Sequence, residues 1–191
     1  MIRALIFDCF GVLYHGSLGA LYEHTSPEHH QELRDLSHSS DYGYVSRDEY
    51  VRRVSELTGS TTDEISALLK AQHIRSQSMV SLVRTLGRDY KIALLSNVGR
   101  DTMNRLFTPK ELDELFDTVV LSSDVGMVKP YAQIYELTAR RLNVKPEECI
   151  MIDDSADNVS GAELVGMKGV LCTSTQQATE GIWHLLGDTH A

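Results

Sequence analysis

An α/β fold, with a doubly wound parallel sheet and an inserted helical segment, is predicted by three observations. Short, continuously apolar runs recur, and each ends in polar residues: Ala4–Phe7 before Asp8, Ile92–Leu95 before Ser96-Asn97, Val119–Leu121 before Ser122-Ser123-Asp124, and Ile150–Ile152 before Asp153-Asp154. Helical periodicity separates the later runs. Between the first two lies a stretch of about seventy residues, far longer than an ordinary crossover and different in texture.

The first run, Leu5-Ile6-Phe7, leads into Asp8 and then Gly11. Apolar runs of this length suit strands covered on both faces, as in parallel sheets. Gly11 lets the chain turn sharply as it leaves the strand. In the insertion, Ser46-Arg47-Asp48-Glu49 and Thr61-Thr62-Asp63-Glu64 both have capping-box spacing. Tyr50, Val54 and Leu57 follow at helical spacing, as do Ile65, Leu68 and Leu69. The stretch from Leu18 to His38 reads as further helix with open boundaries. Beyond the third run, Tyr131–Leu142 and Asn158–Met167 carry helical patterns, the first with Pro130 in its opening turn. Gly169–Cys172 resumes as a fifth strand.

Alternation of strand and helix implies an open sheet with ligands beyond the carboxyl ends of its strands. All four polar endings are therefore expected to face one crevice. The insertion, taken as residues 15–84, is expected to form a small helical cap over a core made of residues 1–14 and 85–191.

Composition narrows the function. At 191 residues and 42% hydrophobic content, the chain can bury a full core. Its net charge of -9, with no clustered Lys and Arg, argues against nucleic-acid or anionic-membrane partners. Cys9, Cys149 and Cys172 lie in or beside apolar runs and read as reduced core residues of a cytoplasmic protein. Arg3 interrupts a start that already reads as a strand, so no secretory leader is expected, and no run approaches membrane-spanning length. His15, His24, His29, His30, His38 and His73 fall in no zinc-ligand spacing and read as solvated cap residues.

Four motifs in order resemble the haloacid dehalogenase superfamily, in its phosphatase branch with a helical cap. They are Asp8-Cys9-Phe10-Gly11-Val12, Ser96-Asn97, Lys129-Pro130 and Asp153-Asp154-Ser155-Ala156-Asp157-Asn158. The run Asp124–Pro130 is similar to bacterial sugar-phosphate phosphatases and to the N-terminal phosphatase domain of soluble epoxide hydrolases. The resemblance implies a Rossmann-like core and a Mg²⁺-dependent phosphatase for a small phosphorylated metabolite, such as a sugar phosphate. It assigns Asp8 as nucleophile through an aspartyl-phosphate. Ser96, Asn97 and Lys129 would bind phosphate, with backbone N–H groups near Asn97 assisting where a helix begins. Metal ligation would fall to Asp8, the Phe10 carbonyl, Asp154 and, as second choice, Asp153, with Asp157 and Asn158 in supporting positions. Convergence of Asp8, Asp153 and Asp154 independently calls for a cation, and all-oxygen ligands suit Mg²⁺.

Phe10 departs from the pattern. Phosphatases of this superfamily commonly carry an acid–base aspartate there, whereas its dehalogenases carry an aromatic residue. A metal-free dehalogenase, or a domain that keeps the phosphate pocket without efficient turnover, are the alternatives. The acid pair Asp153-Asp154 favours the phosphatase. Without a carboxylate at residue 10, water, the substrate or a cap residue must handle the proton.

Overall fold

The computed structural model describes residues 1–16, 19–71 and 73–187; Leu18, where the first stretch of expected cap helix begins, lies outside them. Strand β1 (Ala4–Phe7) is followed by two short strands, β2 (Tyr14–His15) and β3 (Ile74–Arg75), which pair antiparallel with each other. Then come β4 (Lys91–Ser96), β5 (Thr118–Leu121), β6 (Cys149–Asp153) and β7 (Lys168–Leu171). These four join β1 in a parallel five-stranded sheet of order β5-β4-β1-β6-β7. The expected α/β class holds, the first four anticipated runs lie in strands, and the fifth, Gly169–Cys172, runs one residue past the end of β7.

Continuous apolar runs follow from burial on both faces. Leu5, Phe7, Ile92, Leu94, Ile150 and Ile152 share one cluster, while Ala4, Ile6, Ala93, Leu95, Cys149 and Met151 share another. Alternate residues of a strand point to opposite faces, so neither face leaves room for polar side chains.

The cap region holds α1 (Gly19–His24), α2 (His30–Asp41), α3 (Arg47–Thr58) and α4 (Thr62–Ala71). Leu21, Leu33, Leu36, Val54, Ile65 and Leu69 bury against one another in a cluster of their own. Ser46 accepts the Glu49 N–H at the start of α3, and Thr61 and Glu64 form a reciprocal capping box before α4. The β2–β3 ribbon is the stem of this region. Arg75 pairs with Glu111 at 2.7 Å, and Tyr14 donates to the Leu106 carbonyl, which fasten the stem to the core.

Helix α5 (Gln77–Leu86) corrects the expected boundary at residue 84. Its Met79, Val80, Val83 and Leu86 pack in the same cluster as Leu5 and Phe7, because its apolar stripe matches the sheet face. The separate cap packing thus ends before the stem strand β3. Then follow α6 (Met103–Leu106), α7 (Pro109–Leu115) and the single turn α8 (Ser122–Val125). Next come α9 (Ala132–Arg141) and α10 (Ala156–Leu164), which cover the sheet's other face, and α11 (Thr175–Leu186), which joins α5. Pro130 precedes Tyr131, the N-cap of α9, and so lies outside the helical turn expected to hold it. Helix α10 starts before Asn158 because Ser155 caps it by accepting the Asn158 N–H.

Ser122 ties cap to core. Its Oγ accepts the Val98 N–H at 2.9 Å and donates to the Asp41 carbonyl, the end of α2, at 2.6 Å. Ser122→Ala strands both groups and is expected to lower stability by about 1–3 kcal/mol, read as the shift of a urea unfolding curve.

Candidate active site

Strand order brings the chemistry together. β1 lies between β4 and β6, with Phe7 level with both Leu94 and Ile152. The next residues of β1 and β6 are therefore neighbours: Asp8 follows Phe7, and Asp153 follows Ile152. Ser96 closes β4 on the other side. Carboxylate oxygens of Asp8, Asp153 and Asp154 all lie within 4.8 Å of one another. Asp8, Phe10, Gly11, Asn97, Lys129 and Asp154 line the resulting crevice.

Lys129 supplies the buried cation. Its Nζ lies 2.9 Å from Asp8 Oδ1 and 2.6 Å from Asp153 Oδ2. Burial works against the ammonium, but Asp8 and Asp153 together hold its pKa above the ordinary lysine value. Burial also pushes the Asp8 carboxyl up to about 7, with Lys129 opposing the shift and Asp153 adding to it. Burial and Asp153 likewise raise Asp154. Three carboxylates against one ammonium leave a deficit of positive charge, and a divalent cation would remove it.

Asp153 already accepts three donors, which leaves it one free acceptor position for the second-choice ligand role expected of it. Besides Lys129 on Oδ2, its Oδ1 accepts the Ser155 N–H at 2.9 Å and Asn158 Nδ2 at 3.0 Å. It positions Lys129, which leaves Asp154 as the more open fourth-motif carboxylate. Asn158 holds Asp153 through the Nδ2 bond from the first turn of α10. Asp157 does not: it is exposed in the first turn of α10 and forms no hydrogen bond or ion pair with the crevice residues. There its charge faces the positive helix end.

Asn97 lines the crevice but commits its side chain to the backbone of Lys129. Its Oδ1 accepts the Lys129 N–H at 2.8 Å, and its Nδ2 donates to the Lys129 carbonyl at 2.9 Å, so the side chain clamps the lysine backbone. No helix starts there: the next, α6, begins at Met103, and the Val98 N–H is taken by Ser122. Ser96 is fully buried, and its hydroxyl finds no partner among the described residues. Of the third polar ending, Ser122 serves the cap tie and Asp124 is exposed, so this strand end does not line the acidic crevice.

Gly11 has φ +76°, and a Cβ there would run into the Asp154 carboxylate. Gly11→Ala must strain the left-handed backbone, at about 1–2 kcal/mol, and also displace Asp154. A weakened Mg²⁺ affinity, read by calorimetric titration, is the expected result. Close approach also explains Gly161 on α10, where a Cβ would meet the Pro130 carbonyl beside Lys129.

A second cavity, of about 390 Å³, lies between cap and core and shares Phe10, Gly16 and Asn97 with the crevice. Its cap wall includes Asp41, Arg47, Tyr50 and His73, and its core wall includes Val98 and Arg100. Of the histidines expected to be solvated, two border these spaces, His73 the cavity and the exposed His15 the crevice. The His73 ring sits 5.3 Å from that of Phe10. Asp41 escaped sequence reasoning altogether, since only the fold brings α2 to the loop after β4.

Comparison with known proteins agrees with this arrangement. Residues 2–166 match the family described as haloacid dehalogenase-like hydrolase. A 93-residue stretch, 48% of the chain, is 32% identical to the pyrophosphatase PpaX of Bacillus cereus and covers 43% of it. The chain spans less than half the length of the curated relatives it matches. Among solved structures, a HAD-like family hydrolase from Porphyromonas gingivalis is 26% identical with TM-score 0.81, over 99% of this chain and 100% of that one. A HAD family enzyme from Bacteroides thetaiotaomicron, in complex with magnesium and inorganic phosphate, shares the fold at 21% identity and TM-score 0.73, over 89% and 93% of the two chains. The L-2-haloacid dehalogenase of Xanthobacter autotrophicus shares it at 19% identity and TM-score 0.63, over 100% and 85%. Motif order, sheet order and the family match over most of the length make this chain a member of the haloacid dehalogenase-like hydrolases.

Proposed function

We propose that the protein is a Mg²⁺-dependent phosphomonoesterase that hydrolyses a small phosphorylated metabolite, sugar phosphates being the first class to test. The observation that carries this reading is the convergence of Asp8, Asp153 and Asp154 around a single buried lysine. Asp8, the Phe10 carbonyl and Asp154 would hold the cation, an all-oxygen set suited to Mg²⁺. When bound, Mg²⁺ would offset the charge of the phosphate oxygens and of the carboxylates around them. Asp8 attacks phosphorus and forms an aspartyl-phosphate, which water then hydrolyses. Lys129 stabilises charge on the transferring group, and the unpartnered Ser96 hydroxyl is free to donate to it. Asn97 acts on the reaction by fixing Lys129. The magnesium and phosphate bound by the Bacteroides relative support the same assignment. Three buried free cysteines suit a reducing, cytoplasmic setting, and no helix among the described residues is long and apolar enough to cross a membrane.

Phe10 and the dehalogenase fold relative favour a second reading, in which Asp8 forms an ester with a substrate carbon. A metal-free site gains nothing from Asp154 packed over Gly11. The test is turnover of p-nitrophenyl phosphate with Mg²⁺ and with EDTA: activity is expected with Mg²⁺, lost in EDTA and restored by excess Mg²⁺. Haloacid hydrolysis in EDTA, with no phosphatase activity in Mg²⁺, would establish the dehalogenase instead.

A further inference from the structure

We infer that Asp41, the last residue of cap helix α2, is the acid–base residue for the leaving group and the attacking water, a role that rests on the phosphatase reading above. Phe10 has no proton to give, so the group must come from elsewhere. The cavity on the cap side of Phe10 adjoins the crevice through Phe10, Gly16 and Asn97, which makes it the space into which the alcohol part of a phosphate seated at Asp8 extends. Asp41 lines that cavity.

Its placement is enforced by the core. The Asp41 carbonyl accepts from Ser122 Oγ, which also binds the Val98 N–H next to Asn97. The carboxyl group itself is half-buried and forms no hydrogen bond or ion pair with any described residue. Arg47 and Arg100 line the same cavity but do not come within salt-bridge distance of it. Shielding a carboxylate without a partner costs stability, so its retention in an enzyme cavity points to use. Lys129 acts on it from the crevice side, and Tyr50 and His73 face the cavity from the cap. His73 is engaged on the Phe10 ring. Burial pushes the Asp41 carboxyl up to about 7, with Lys129 opposing, so both protonation states are available near neutral pH.

The chemistry balances over two half-reactions. Asp8 bonds to phosphorus as the P–O bond to the alcohol breaks, and the departing oxygen takes the Asp41 proton to leave as ROH. The Asp41 carboxylate then takes a proton from water as the water oxygen bonds to phosphorus. The P–O bond to Asp8 breaks, inorganic phosphate leaves, and the Asp8 carboxylate and Asp41 acid are restored.

The experiment compares wild type, Asp41→Asn and Asp41→Glu, in Mg²⁺, on p-nitrophenyl phosphate and glycerol 2-phosphate. p-Nitrophenolate needs no proton to leave. Asp41→Asn should therefore keep a near-normal burst of p-nitrophenolate but slow the phase after it, because water attack lacks its base. On glycerol 2-phosphate kcat should fall by about 10²–10⁴, with partial recovery in Asp41→Glu. Wild-type kcat/KM for glycerol 2-phosphate should decline above the Asp41 pKa of about 7, a limb absent for p-nitrophenyl phosphate. Wild-type kcat on glycerol 2-phosphate in Asp41→Asn, or equal loss of burst and steady state in the folded variant, would overturn the role. Should the variant fail to fold, identical wild-type pH profiles for the two substrates would overturn it just as well. A wild type inert toward both substrates in Mg²⁺ would defeat the phosphatase reading itself, and this role with it.

Discussion

Asp8→Asn is expected to reduce phosphatase turnover by at least about 10⁴-fold while leaving the protein folded. The amide is a poor nucleophile and carries no charge for the cation. Its oxygen can still accept the contacts now made to Asp8 Oδ1, from the Cys9 N–H at 2.7 Å and from Lys129 Nζ at 2.9 Å. The substitution also removes one of two carboxylates that repel each other in a buried crevice, where burial holds the Asp8 pKa far above the usual carboxylate range. Its melting temperature without Mg²⁺ should therefore equal or exceed that of wild type. A variant that is inactive because it is unfolded would show the opposite, and retained activity would remove Asp8 from the nucleophile role.

Lys129→Met should damage both stability and activity. It keeps the length of the side chain but leaves Asp8 and Asp153 buried without their cation. Breaking a buried ion pair from one side typically costs about 3–5 kcal/mol. Activity should fall by about 10²–10³ even under conditions where the variant is folded, through loss of a charge aimed at the transferring group. Added Mg²⁺ should raise the melting temperature of this variant more than that of wild type, since it supplies part of the missing positive charge. Equal stability of the two proteins without metal would mean that Lys129 does not compensate these carboxylates.

The sheet was legible because burial on both faces writes strands such as Ile92–Leu95 and Ile150–Ile152 as unbroken apolar runs. Asp8, Lys129 and Asp154 were legible because each lies at a strand end or beside a motif proline, where local sequence marks the turn. Helix α5 misled by position. Its Ser76 cap and the spacing of Met79, Val83 and Leu86 are visible in the chain, but length alone does not say which body an amphipathic helix covers. The stem strands β2 and β3 hold two residues each, too few for any period to register. Helix α2 buries Ser37 and Ser40 beside Leu33 and Leu36, which blurs its apolar stripe. The placements of Asn97 and Asp41 depend on partners far along the chain, Lys129 and Ser122, and no local pattern carries such contacts.

Single-turnover hydrolysis of p-nitrophenyl phosphate in heavy-oxygen water, with Mg²⁺ and enzyme in excess, bears most directly on the claim that water resolves an aspartyl-phosphate at phosphorus. Mass spectrometry of both products should find the heavy oxygen in inorganic phosphate and none in the peptide that carries Asp8. Heavy oxygen in the Asp8 carboxylate would place water attack at the carbonyl carbon, as in an ester-forming dehalogenase, and would contradict resolution of the intermediate at phosphorus.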